Sequence, residues 1–177
     1  MISRSTIRLN TDGLDLLRKQ LAAAKGSAMK VGLLGDHAER GVVPLSDTQM
    51  GPLKPDKLNN PTLGLIHEKG SVSAKPPVPR RSWLKEPLES ELPKRIREIG
   101  VEAWRKLILE RGLIEALKFL GVEAVNVIDG GFATGGYGKW KELSPVTVAL
   151  KGSDAILIET SQMRKAVSSA LVKGRAT

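Results

Sequence analysis

Ile7 and Leu9 alternate with Thr6 and Arg8 over Ser5 to Asn10, the period-two pattern of a half-buried strand. The period then changes. Leu14, Leu17, Leu21 and Ala24 recur at helical spacing, Asn10 or Thr11 can cap the turn that precedes them, and Asp12 and Asp15 lie where the helix dipole favours negative charge. Gly26 sits where a C-cap glycine belongs, so the pattern predicts an amphipathic helix over about 12–25. Met29 to Leu34, ended by Gly35, reads as a mostly buried second strand and completes a β-α-β opening.

From about 36 to 60 periodicity gives way to Gly41, Pro44, Gly51, Pro52, Pro55 and Pro61, the composition of a mobile loop or loosely held hairpin. Thr62 to Glu68 is a short apolar element closed by Lys69 and Gly70, and a proline-rich arm follows over about 71–82. Pro87 then opens a long helix over about 87–111, with Leu88, Leu92, Ile96, Ile99, Ala103 and Leu107 on one face and alternating charges on the other. A second helical pattern runs from Leu113 to Ile128, either a separate helix or the continuation of one kinked at Gly112. Gly130 to Trp140 reads as a flexible glycine-rich connector, Ser144 and Pro145 open a helical turn, and Thr160 and Ser161 can cap another. Lys165 to Lys173 alternates enough to be strand or helix, and is read as a last strand. Strands at both ends with helices between them, and no βα repeat, predict one α+β domain over 1–177. Its small, mainly antiparallel sheet packs against the long helix and shorter ones, with extended loops.

Composition narrows the chemistry. The 177 residues suffice for one hydrophobic core, and the absence of cysteine removes disulfides, thiol nucleophiles and cysteine-based metal sites. It also fits a reducing, intracellular origin. No apolar run reaches the length of a membrane span, and the first residues lack a signal-peptide core. The net charge of +9 attracts polyanions, but six aromatic rings supply few stacking platforms, so contact with a nucleic-acid backbone is more plausible than base reading. The charge is spread evenly along the chain: residues 1–70 carry ten basic and seven acidic groups, 71–111 ten and six, and 112–177 eight and six.

The glycines of 130–138 invite a phosphate-binding reading, but position 136 is Gly where a Walker-type loop needs Lys. His67-Glu68 lacks the second histidine of a zinc-protease helix, because position 71 is Ser. No nucleophile elbow or Ser/His/Asp spacing is present, and the carboxylates of the long helix sit in salt-bridge patterns. No catalytic residue, cofactor or metal ligand is therefore expected, and His67 with Glu68 is read as a structural pair that bonds a neighbouring backbone or Arg80. Arg80 and Arg81 form a basic cluster suited to a solvated loop, a neighbour's carboxylates or nucleic-acid phosphates.

Three segments carry a resemblance. Ile66-His67-Glu68-Lys69-Gly70 is similar to a His-Glu-aromatic-Gly signature, and Val78-Pro79-Arg80-Arg81-Ser82-Trp83-Leu84 to a Pro-x-Arg-Pro-aromatic-Leu segment ahead of a long helix. Trp140, Leu143-Ser144, Thr147, Lys151-Gly152 and Leu157-Ile158-Glu159-Thr160-Ser161 resemble the ending of the same pattern. Departures fall at Lys69, Ser82 and Ser161. In order and spacing, over roughly 28–173, the chain resembles the neck and tail-completion proteins of tailed bacteriophages, the lambda-like and Mu-like virion morphogenesis type. The resemblance implies a non-enzymatic virion protein, made in the host cytoplasm and built as a ring, hexameric in such families, at the neck or head-proximal end of the tail. Its partners would be further copies of itself, a tail terminator or tail tube protein, head-completion or connector proteins, and duplex DNA passing through without sequence-specific binding; no membrane is involved. Arg80, Arg81, Trp83 and Leu84 are then expected to contact a subunit or partner, unless Trp83 plugs the chain's own core. His67, Glu68, Gly70, Trp140, Thr147, Lys151 and Thr160 are expected to be structural motif positions. The alternatives are a small basic nucleic-acid-binding protein and an enzyme built on the glycine loop.

Overall fold

The computed structural model describes residues 12–35, 59–72, 77–152, 154, 156–157 and 162–173. The expected strand at Ser5 to Asn10, the loop over 36–58, residues 73–76 of the arm, and Thr160 and Ser161 lie outside the described residues. The described chain is α+β, with seven α-helices and a two-stranded antiparallel sheet.

The longest helix is α5 (Leu113–Ala133), which buries Ala116, Gly121, Ala124, Val127, Ile128 and Phe132. Across it lie β1 (Ser27–Leu33) and β2 (Val167–Lys173), paired from Ser27 opposite Lys173 to Leu33 opposite Val167. Strand side chains alternate between faces, so Met29, Val31 and Leu33 share one face with Leu171, Ser169 and Val167. That face meets α5 at Gly121, where a Cβ would run into the Met29 side chain and Ser169. The glycine lets helix and sheet approach closely. No helix among the described residues is long and apolar enough to cross a membrane.

Helix α1 (Asp12–Ala24) forms over the span its spacing predicts, but its leucines do not face the core. Leu14 and Leu21 are 58% and 53% exposed, Leu16 and Leu17 are also exposed, and only Gln20 and Ala24 are half-buried. The apolar element near 62–68 is a full helix, α2 (Asn60–Lys69), capped by the Asn59 side chain on the Thr62 amide at 2.9 Å and ended at Gly70.

The single helix expected over 87–111 is divided. It begins at Lys85, widens into a π-helical turn at Pro87–Glu91, and continues as α3 (Leu92–Ile99). Pro93 has no N–H to donate just beyond the wide turn, while the Ser90 hydroxyl returns a bond to the Glu86 carbonyl at 2.8 Å. Gly100, at φ 83° and ψ 152°, then separates α3 from α4 (Val101–Arg111). Only glycine adopts that conformation readily, and the apolar spacing that runs on through it in the sequence conceals the break. Gly112, at φ 92°, makes a second corner into α5. Trp104 packs edge-on against Phe119 with ring centroids 5.4 Å apart, holding α4 against α5.

Contrary to the expectation of a flexible connector from Gly130, α5 runs through Gly130 and Gly131 to Ala133. Beyond it come α6 (Pro145–Lys151), capped by Ser144, and the short α7 (Gln162–Lys165) leading into β2. The core is Trp83, Ile128, Phe132, Trp140 and Met163, flanked by Val31, Leu33, Leu63, Leu84, Leu88, Ile156, Leu157 and Val167.

Candidate functional site

The segments that carry the resemblance converge beside this core. Glu68, near the end of α2, turns its carboxylate to the start of the helix at Lys85. Oε1 accepts the Ser82 hydroxyl at 2.5 Å and the Lys85 amide at 3.3 Å, and Oε2 accepts the Trp83 and Leu84 amides, each at 3.0 Å. A helix leaves its first N–H groups unsatisfied and carries partial positive charge there. Glu68 supplies the cap from another element, and Ser82 extends it by accepting the Glu86 amide at 3.0 Å.

Trp83 follows directly. It is 4% exposed, donates its indole N–H to the Gly64 carbonyl at 2.8 Å, and stacks obliquely on Phe132 at 5.9 Å. Trp140 meets Phe132 edge-on, with ring centroids 5.8 Å apart, and donates its indole N–H to the Ser82 carbonyl at 3.2 Å. Two tryptophans thus pack on one phenylalanine, and each indole N–H is satisfied by backbone. The Arg81 guanidinium is drawn inside as well, forking onto the Lys141 carbonyl at 3.2 and 2.9 Å; burial lowers its pKa from the ordinary arginine value.

The arm is clamped at its root. Ser71 and Val78 exchange both amide bonds at 2.9 Å, and the Arg81 amide donates to the His67 carbonyl at 2.7 Å. Arg80 donates through Nε to the Glu68 carbonyl at 3.2 Å and meets Glu86 at 3.4 Å. A Cβ at Gly70 would strike the Arg80 amide and the Val78 carbonyl, so the chain crosses itself there only because residue 70 has no side chain.

Of the four residues expected at a partner contact, Trp83 belongs to the chain's own core, Arg81 is buried against Lys141, and Leu84 is half-buried beside the core; Arg80 is exposed. Of the motif positions, His67, Glu68, Gly70 and Trp140 meet in this knot. Thr147 lies apart, in the first turn of α6, where its amide donates to the Ser144 hydroxyl at 3.2 Å, and Lys151 ends that helix. Ser82, Gly64, Phe132 and Gly136 complete the knot, and none of them was expected from sequence to be a contact or structural motif position. Gly136 had a legible signal, a glycine four residues before a tryptophan that needs room, and a Cβ there would overlap the Trp140 ring; Gly64, where a Cβ would press on Trp83, is too far from it in sequence to show one.

The glycine loop is an ordered left-handed turn. Gly135, Gly136, Tyr137 and Gly138 all have positive φ, and Tyr137 is held there by donating its hydroxyl to the Val127 carbonyl at 2.6 Å. The amides from Gly136 to Trp140 donate in turn to Gly131, the Thr134 hydroxyl, and the Thr134, Gly136 and Gly135 carbonyls. Those N–H groups are therefore already engaged and do not point at an anion. Both oxygens of Glu68 are likewise occupied by donors, which suits a cap and not a base awaiting a substrate proton. Among the described residues, no three His, Asp or Glu side chains gather where a metal could be held.

Two ion pairs brace the surroundings. Arg164 forks onto Asp129 at 2.5 and 2.6 Å, its hydrogen bonds holding the carboxyl below the ordinary aspartate value, and Arg95 meets the buried Glu123 at 2.7 Å. Comparison of the chain with protein-family models, curated proteins and solved structures gave no match.

Proposed function

We propose that this chain is a structural virion protein of a tailed bacteriophage, assembled as a ring at the neck or head-proximal end of the tail, where it completes the tail and joins it to the head around the DNA channel. One observation carries the reading. The first two segments of the resemblance and the opening tryptophan of the third, spread from Ile66 to Trp140, meet in a single hydrogen-bonded knot in which the carboxylate, the buried guanidinium and both indoles are spent on backbone partners. That arrangement gives the motif residues a scaffolding role and supports a protein whose work is contact. Exposed Arg80, beside the clamped arm, is the remaining member of the expected contact set available to a neighbour or a head or tail partner.

The test is genetic and structural. A phage carrying a stop codon early in this gene is expected to yield filled heads and separate tails, and electron microscopy of the intact virion to place the chain in a ring at their junction. Infectious particles of normal morphology without the protein would overturn the proposal.

A further inference from the structure

The Lys141 carbonyl satisfies one edge of the Arg81 guanidinium but not its charge. Arg81 is 4% exposed, and both Nε and Nη2 donate to that one neutral oxygen. Arg80, Arg95 and Arg164, whose side chains are all more exposed, each meet a carboxylate, at Glu86, Glu123 and Asp129. Among the described residues, therefore, the most covered of these guanidinium groups is the one without an anion. Glu68, the acid of the same knot, is committed to the Ser82 hydroxyl and to the amides of Trp83, Leu84 and Lys85. A covered charge is costly until an opposite charge joins it, and here burial lowers the pKa with no carboxylate acting against it.

The tip of the side chain is nevertheless within reach. Its bonds to Lys141 are part-buried, and Lys141 is itself exposed, so the cover lies mainly over the stem. Nε and one Nη2 hydrogen are used; Nη1 and the second Nη2 hydrogen form an end-on fork with no partner among the described residues. Such a fork fits the two oxygens of a carboxylate. The recess selects the bearer. A duplex presents its phosphates on a broad convex surface, whereas a Glu or Asp side chain is slim enough to enter beside Lys141.

We propose that the Arg81 guanidinium is the seat for a carboxylate of another protein subunit, a Glu or Asp side chain that inserts beside Lys141 and completes an ion pair when the subunits meet. The free chain carries the cost of the covered charge, and the right neighbour relieves it, which favours a partner with an acid at that point over one without. This deepens the ring reading by naming the chemistry of one contact, and rests on that reading only for which protein supplies the acid.

The purified full chain tests the seat with free acetate as the probe. Acetate replacing chloride at constant ionic strength should raise Tm by about 2–3 °C, because an anion that binds only the folded chain stabilises it. The rise should vanish in Arg81→Met, shrink in Arg81→Lys, which offers a point charge in place of the fork, and persist in Arg97→Met, which removes an exposed arginine. A second measurement needs no variant to fold: the Arg81 Nε–H resonance of the parent, followed by NMR, should shift with acetate and saturate. An equal rise in the parent and all three variants, or a resonance that acetate leaves unmoved, would overturn the proposal. So would inorganic phosphate acting through Arg81 more strongly than acetate, which would point to a nucleic-acid backbone. None of these outcomes depends on whether virions assemble, so the seat and the ring reading can fail separately.

Discussion

Glu68 shows how much of the site rests on one carboxylate. Replacing it with alanine leaves the Ser82 hydroxyl and the amides of Trp83, Leu84 and Lys85 without their acceptor. Unsatisfied buried groups cost about 1–3 kcal/mol each, and water can reach part of this cluster, so a loss of about 2–4 kcal/mol is expected for Glu68→Ala. Urea denaturation followed by tryptophan fluorescence measures it; Glu68→Gln, which keeps one acceptor oxygen, should lose less. Equal stability of Glu68→Ala and the parent would remove the cap from the account. Gly136→Ala presents the opposite fault, a Cβ driven into the Trp140 ring at φ 70°. It should destabilise by about 1–3 kcal/mol as an overpacking change, measured in the same titration.

Between elements, the Arg164–Asp129 fork ties α7 to α5 and introduces a pH dependence. The aspartate is depressed chiefly by its hydrogen bonds to Arg164, so the folded state keeps it ionised where the unfolded chain would bind a proton. Its stabilisation is thus present above the ordinary aspartate value, near 4, and is lost as pH falls through the folded value. The carboxylate is 49% exposed, so solvent screening keeps the contribution to about 1 kcal/mol or less. Stability measured between pH 6 and 3 should fall more steeply for the parent than for Asp129→Asn; parallel curves would assign the acid loss to other groups. The 165–173 segment fitted strand or helix alike, but most of the helices and β1 were legible because periodicity is local. The break at Gly100 was not, since Ile96, Ile99 and Ala103 keep their spacing across it. Nor was the extension of α5 through Gly130 and Gly131, two glycines that read as loop until the Tyr137 ring is seen packed on them. The role of Glu68 was hidden for a similar reason: a helix cap is sought next to the helix, and this one comes from 17 residues upstream of Lys85.

For the molecule as a whole, the polar, proline-rich loop and arm predict a monomer or weak oligomer on purification, with the ring formed only in the particle. The structure adds the row of exposed leucines on α1, which is apolar surface of the kind that promotes association. Light scattering should therefore show a monomer at low micromolar concentration with slight concentration-dependent growth, reduced in Leu14→Gln/Leu17→Gln/Leu21→Gln. A stable ring in dilute solution would contradict this.

The pairing of β1 with β2 governs when the protein can become whole. The knot joins residues 64 to 85 with 140 and 141, and its Glu68 bonds close short loops. The sheet instead closes over roughly 130 residues of intervening chain, at an entropic cost that grows with loop length. On the ribosome, β1 emerges early and waits for β2 through the synthesis of every helix from α2 to α7, leaving Met29 and the sheet-facing side of α5 uncovered meanwhile. A nascent chain stalled once residue 166 has cleared the exit tunnel, with the last strand still inside it, should accordingly show a protease-resistant knot and a cleavable β1. Release of the last strand should convert it to uniform resistance in one step.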